Sequence, residues 1–294
     1  MIKKSVFFIL IILLFTSCTI NEKQKIKISI NNWIGYTPLF YAKEKSWLES
    51  IDVKLLNVVS LNENAHLYKA GNSDAYVGTQ FEYHFVNKKD NSLTPIILFN
   101  RSNGGDIILS NLSIDELSKT DKIIDAYLEI DSINSILLED FLVKNNLTNH
   151  NINYIDENQS NISRLKAKDM KNPTIIVTYL PYNHILKKNS FIELSSTKDN
   201  PDLLVIDAMY TTQNFYFENQ ETFIKLKKLI DKAISNLQND PKEFYETIKP
   251  YMLNTSYEEF LSSLTQIVWL NKEIPENILH KLNNSDFKTK DLIK

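Results

Sequence analysis

Cysteine is almost missing from this chain: one residue, Cys18, in 294. That excludes an internal disulfide and any cysteine-rich metal site. Arginine is nearly as rare, with Arg101 and Arg164 the only two. Bidentate recognition of phosphate or sulfonate favours the guanidinium fork, so the chain is poorly equipped for anions. The five histidines, His66, His84, His150, His184 and His280, lie far apart and form no HExxH pair. No P-loop and no nucleophile elbow occurs either, and no constellation points to catalysis. The net charge of −3 provides no basic field for nucleic acid. Glycine is scarce, and all five glycines fall between Gly35 and Gly105.

What is present suffices for a large core. A hydrophobic content of 43% over 294 residues supports two lobes. Met1–Lys4 is positively charged, and the apolar run Val6–Phe15 is short for a bilayer span, so residues 1–17 read as a signal peptide. The run ends Leu14-Phe15-Thr16-Ser17-Cys18. This resembles the lipobox of bacterial lipoproteins, with Phe15 where an aliphatic residue is usual. The resemblance implies a lipid on Cys18, a tether over 18–25, and an extracytoplasmic chain anchored to a bacterial membrane and facing the periplasm. An ordinary signal peptide or signal anchor with a chance cysteine is the alternative.

Beyond the tether, strand and helix patterns alternate. Ile26–Ile30 is a strand; the loop after it carries Trp33, Gly35 and Tyr36, and Thr37 stands at a helix N-cap with Pro38 at the first helical position. A helix follows to about Trp47. Val53–Val58, Asp74–Gly78 and Leu93–Phe99 read as further strands of a largely parallel sheet. Thr79 with Glu82, Ser113 with Glu116, and Ser256 with Glu259 are capping boxes. Arg101-Ser102-Asn103-Gly104-Gly105-Asp106 reads as a crossover in which paired glycines permit unusual backbone angles and close approach. A second α/β set follows, with strands over 122–128, 151–155, 173–178 and 191–194, a helix opened by Ser132, a weak helix over 160–170 and a return crossover at 203–209. The last third is helical cladding for the first lobe, and the polar tail from Asn283 reads as frayed.

In open α/β sheets ligands bind at the carboxyl ends of strands. The residues there are Trp33 and Tyr36 as aromatic walls, Thr79, Gln80 and Glu82 after the third strand, Asn103 and Asp106 at the crossover, Glu129 and Ser132 at the mouth of the second lobe, and Tyr179 opposite. Each also has a plainer reading. The rings could pack a core, Glu82 could cap Thr79, and Ser132 or Asp131 could serve helix entry alone. Asp207 reads as a hinge residue. Asp106, Glu129 and Glu82 together make an acidic, aromatic cleft suited to an amine or pyrimidine, and Arg101 is the only arginine near enough to hold an anion.

Trp33, Gly35, Tyr36, Pro38, Leu39, Tyr41, Ala42, Lys43, Glu44 and Lys45 follow the pattern W-x-G-Y-x-P-L-x-Y-A-K-E-K. This resembles the substrate-binding proteins of the nitrate/sulfonate/taurine and thiamine-pyrimidine-precursor ABC importers. Gly71-Asn72-Ser73-Asp74-Ala75, Ser102–Asp106, Tyr127–Leu138, Thr178–Tyr182 and Leu204–Asp207 resemble later family segments in order, so the likeness runs over about residues 26–280. It departs at Ser46, where the family usually has glycine, and at Glu129-Ile130-Asp131. The resemblance implies an α/β, two-lobed type II periplasmic-binding-protein fold: two Rossmann-like lobes, 26–105 with 206–294 and 106–205, joined by a hinge. It also implies a monomer without cofactor that takes a small molecule and delivers it to an ABC permease and ATPase. A sensor lobe docking on a membrane receptor, and a binder of sulfonate or nitrate, are the rival readings.

Overall fold

The structure is a computed structural model that describes residues 25–88, 92–200, 202–285 and 287–293. The signal peptide expected over residues 1–17, and Cys18, lie outside the described residues. The first βα units are β1 (Ile26–Ile30), α1 (Thr37–Glu44), β2 (Val53–Asn57), α2 (Leu61–Lys69), β3 (Ala75–Thr79), α3 (Gln80–Asn87) and β4 (Leu93–Ser102). The chain then crosses to β5 (Asp106–Ser110), α4 (Ile114–Lys119), β6 (Ile124–Leu128), α5 (Ile133–Lys144), β7 (Ile152–Asp156), α6 (Gln159–Ile162), β8 (Thr174–Tyr179), α7 (Tyr182–Lys188) and β9 (Ile192–Ser196). It returns as β10 (Ile206–Thr212) and ends in α8 (Gln213–Glu218), α9 (Gln220–Asn239), α10 (Pro241–Ile248), α11 (Tyr257–Leu264), β11 (Ile267–Trp269) and α12 (Glu276–Asn283).

The strands form two sheets, ordered β11-β4-β10-β3-β1-β2 and β7-β6-β8-β5-β9. We call the first sheet with its helices lobe 1 and the second lobe 2. In each lobe the crossing strand inserts antiparallel, β10 beside β3 in lobe 1 and β5 beside β8 in lobe 2. The sheets are therefore mixed. The largely parallel sheet expected from the sequence holds only for β2-β1-β3 and β7-β6-β8, because each crossing strand enters from the opposite lobe. The two crossovers run side by side, with the Ser102 amide donating to the Val205 carbonyl at 2.9 Å and the Thr197 amide to the Asp106 carbonyl at 3.0 Å.

Local chemistry explains most element boundaries. The three capping boxes, at Thr79/Glu82, Ser113/Glu116 and Ser256/Glu259, are all formed. Thr37 is not the N-cap of α1: Tyr36 holds that position, and the Thr37 hydroxyl donates back to the Ile34 carbonyl at 2.8 Å. A single 3-10 turn over Ile34–Tyr36 starts the helical winding one turn early. Helix α1 stops at Glu44, and Ser46 takes the left-handed conformation, φ 57°, at the position where a glycine was expected from the resemblance. The weak helix over 160–170 breaks into α6 and a 3-10 turn, Ala167–Asp169, since Asn158 caps only a short segment without a continuous apolar stripe.

The C-terminal helices do clad lobe 1, with α9 and α10 against α1. Helix α9 buries Phe223, Leu226, Ile230, Ala233, Ile234 and Leu237 on one face. Each such large apolar side chain contributes roughly 1.5–3 kcal/mol by leaving water. Helix α11 does more than clad: His184 of lobe 2 meets the Ser263 hydroxyl at 2.9 Å, and Lys188 pairs with Glu259 at 2.8 Å. The tail is not frayed. Phe287 is buried against Tyr83 and Tyr210, Asp291 accepts from Thr94 and Gln213, and the Ile293 amide donates to the Ile96 carbonyl at 2.9 Å. Its polar residues hid one anchoring ring. Strand β11 was also missed, being three residues long and recruited only by the edge of β4.

Candidate functional site

The loop after β1 places Trp33 between the lobes. Its indole is buried and donates to Asn100 Oδ1 at 3.3 Å. Two glycines make room for it. A Cβ on Gly105 would lie 2.4 Å from Trp33 Cη2, and one on Gly35 would lie 2.4 Å from Trp33 Nε1. The glycine pair of the crossover thus divides its work. Gly104 has the unusual backbone, φ 113°, and its amide donates to Thr197 Oγ1 at 2.8 Å, while Gly105 is a seat for the indole. The Tyr179 ring of lobe 2 meets the indole edge-on at 6.0 Å, and Asn31 donates to the Tyr179 hydroxyl at 3.1 Å.

A cavity of about 10 Å³ lies between the lobes, lined by Trp33, Leu61, Thr79, Asp106, Tyr179, Val205 and Asp207. Two buried carboxyl groups line it, Asp106 and Asp207, and two more are buried against its walls, Glu82 on the Thr79 amide and Glu129 on the Leu61 amide. Among the described residues no ion pair reaches any of them. Asp207 Oδ1 accepts from the Tyr36 hydroxyl at 2.6 Å. Asp207 Oδ2 and Asp106 Oδ2 are buried and accept no hydrogen bond among the described residues. Burial pushes the Asp106 carboxyl up to about 7 against a hydrogen bond from Ser102, and the charge of Glu82 adds to the rise. Burial likewise pushes Glu129 up to about 8. Asp207 is raised well above the ordinary carboxylate range, first by burial and then by the charges of Asp106 and Glu82 despite its bond from Tyr36.

Glu82 and Glu129 bridge the lobes in opposite directions. Glu82, on α3 of lobe 1, accepts from the Thr79 amide at 2.7 Å and from the Ile133 amide of lobe 2 at 3.0 Å. Glu129, after β6 of lobe 2, accepts from the Gln159 amide at 3.3 Å and from the Leu61 amide of lobe 1 at 3.1 Å. Burial still raises Glu82, outweighing the Thr79 and Ile133 hydrogen bonds.

The ten candidates from the sequence therefore separate. Trp33, Thr79, Asp106 and Tyr179 line the cavity. Tyr36 lies behind it, its ring against Phe99 and its hydroxyl on Asp207. Gln80 clamps the return crossover, donating to the Leu204 carbonyl and accepting from the Ile206 amide at 2.9 Å. Asn103 is half-buried, and its amide donates to the Gln266 carbonyl at 2.9 Å. Ser132 caps α5, accepting from the Asn134 amide at 3.2 Å, and Asp131 is exposed. Asp207, read from sequence as a hinge residue, lines the cavity, as do Leu61 and Val205. Only the tyrosine-to-aspartate pairing across 171 positions reveals Asp207, and no local signal carries that. Among the described residues no group of three or more histidine, cysteine, aspartate or glutamate side chains could hold a metal ion.

No family model matches the chain, and no curated protein matches it. Solved structures do match in fold. The chain has the α/β, two-lobed type II periplasmic-binding-protein fold, shared with ligand-binding components of ABC import systems. The alkanesulfonate-binding protein SsuA from Xanthomonas axonopodis, bound to MOPS, superposes with a TM-score of 0.70 at 13% identity, covering 90% of this chain and 91% of that one. A zinc-bound ligand-binding component of an ABC-type import system from Staphylococcus aureus gives 0.69 at 12% identity over 92% and 97%. The nitrate-binding protein NrtA from Synechocystis gives 0.62 at 13% identity over 81% and 69%.

Proposed function

We propose that this protein is an extracytoplasmic solute-binding lipoprotein, anchored through Cys18, which captures a cationic, amine-bearing small molecule between its lobes and hands it to an ABC permease and ATPase. The carrying observation is the pair of unbonded carboxylate oxygens, Asp106 Oδ2 and Asp207 Oδ2, on one cavity with Trp33 and Tyr179. Buried charge without a partner is costly. An ammonium group supplies two or three charge-assisted donors at once, and the aromatic faces add cation–π attraction of about 2 kcal/mol when desolvated. Thr79 offers a further polar contact. Tyr36, Gln80, Asn103 and Ser132 hold the walls, and Glu82 and Glu129 tie the lobes together.

The units that move are residues 26–105 with 206–294, and 106–205, hinged at the paired crossovers. A cavity of about 10 Å³ admits little more than a water molecule, so the lobes open to load. A solute touching Asp106, Tyr179 and Asp207 together favours a closed form parted from the empty one by the solute's own volume, because only differential affinity shifts the population. The protein acts as a monomer, and it binds rather than transforms its solute.

The test is a thermal-shift screen of putrescine, choline and cytosine against taurine, methanesulfonate and nitrate. Saturating amine at about 100 times Kd adds roughly 2.7 kcal/mol of stability and raises Tm. A rise with sulfonates or nitrate and none with amines would overturn the ligand class, and turnover of any hit would overturn the non-enzymatic reading.

A further inference from the structure

We infer that the Glu82 and Glu129 carboxyls stand in for a bound anion, a counter-anion role: each occupies a helix N-terminus of the opposite lobe, drawing the lobes together and barring anionic solutes from those termini. The inference deepens the cation-binding reading above and rests on it. A helix N-terminus leaves unpaired amides and a partial positive charge, and in a two-lobed α/β cleft these are ready anion sites. Here both are taken. Helix α5 has its second amide, Asn134, capped by Ser132, while its first, Ile133, goes to Glu82 of lobe 1 at 3.0 Å. Helix α2 has Ser60 at its N-cap, yet that hydroxyl makes no cap bond and donates to Asn62 Oδ1 instead. Its first amide, Leu61, goes to Glu129 of lobe 2 at 3.1 Å.

Both glutamates are buried, 0% and 1% exposed, so neither can swing into water while the cleft is closed. A sulfonate or nitrate would have to displace a buried carboxylate and then sit beside the remaining ones. The exclusion is therefore steric first, since the termini are already filled, and electrostatic in addition once the cleft carboxyls ionise. An amine meets no such bar, since Asp106 and Asp207 line the cavity without a paired lysine or arginine among the described residues.

The experiment is calorimetric titration of sulfate and methanesulfonate, at fixed ionic strength, into the wild-type protein, Glu82→Ala, Glu129→Ala, the double alanine variant and the double glutamine variant. Circular dichroism checks folding. The expected result is no saturable sulfate binding by wild type, a gain of at least tenfold in the double alanine variant, a smaller gain in each single variant, and a gain in the glutamine variant well below that of the double alanine, because one side-chain carbonyl can still face each terminus while its NH2 is set against the Thr79 or Gln159 amide. Folded alanine variants as blind to sulfate as wild type would overturn the inference, and so would wild type binding sulfate as tightly as the variants. Should the double variant not fold, Glu129→Ala carries the same test, because it leaves the Thr79–Glu82 capping box intact. Titration of wild type with putrescine runs in parallel. Its failure would sink the cation reading, whereas failure of the alanine variants to gain sulfate, with putrescine still bound, would sink only the counter-anion role.

Discussion

The carboxylates of the cleft and those of the C-terminal helical face live by opposite rules. On the outer face three acids have lysines: Glu243 pairs with Lys45, Glu246 with Lys242 and Lys249, and Glu259 with Lys188. Their pKa values fall. At Glu246 the Lys242 bond leads; at Glu243 and Glu259 partial burial pushes up but is outweighed, chiefly by the bonds from Lys45 and Lys188. In the cleft, Glu82, Asp106, Glu129 and Asp207 have amides, hydroxyls or nothing, and their values rise. The chain has 33 lysines and arginines to spend on pairing, and among the described residues none is paired there. Buried acids held without counter-charge disfavour the folded state, and groups perturbed in this way concentrate at functional sites.

The largest expected effect comes from removing that difference at its centre. Asp106→Asn keeps the shape of a protonated carboxyl and abolishes its charge, so amine affinity should fall roughly 100-fold or more while the protein stays folded. Calorimetry reads the first and circular dichroism the second; an unchanged Kd would remove Asp106 from the site.

Next comes pH. Folded Asp106 keeps its proton up to about 7, against 3.8 when unfolded, and folded Glu129 up to about 8, against 4.5. Between those values the folded chain holds more protons than the unfolded one, so stability falls as pH rises. Without solute, Tm should be higher at pH 5 than at pH 8, by on the order of a few kcal/mol in stability. Amine affinity should move the other way, rising from pH 5 to 8 as the cleft ionises. Parallel pH profiles for wild type and Asp106→Asn would refute this origin.

A smaller effect is steric. Gly105→Ala puts a Cβ 2.4 Å from Trp33 Cη2 and should cost about 1–3 kcal/mol, with weakened amine binding, measured by denaturant unfolding. On the outer face Lys45→Ala, which frees Glu243, should change stability by under about 1 kcal/mol and leave amine affinity untouched. A loss in the outer-face variant as large as in the cleft variant would erase the distinction between the two regions.

Much of this was legible in the residue order. Capping boxes announce themselves within four positions, because a hydroxyl and a carboxylate at that spacing meet on any first helical turn. The alternation of apolar strands and helices marked two α/β sets, and the aromatic loop after β1 put Trp33 at a strand end. Parallel order failed where a strand crossed between lobes, since direction there depends on which sheet receives it. Phe287 was unreadable for a similar reason: one ring in a polar tail has no periodicity, and its partners, Tyr83 and Tyr210, are remote in sequence.

The residues alone thus determined the supply. One cysteine, two arginines, glycines confined to one third of the chain and acids at strand ends set which chemistries were available, because composition and short-range spacing are local properties. The tertiary structure decided the assignments. It turned Gly105 into a seat for an indole, made Asp207 at the return crossover a cavity wall as well, placed Tyr36 behind it, and sent Glu82 and Glu129 to cap each other's lobes. Each of these joins groups far apart along the chain, and burial, which sets their charge, exists only once the two lobes have met.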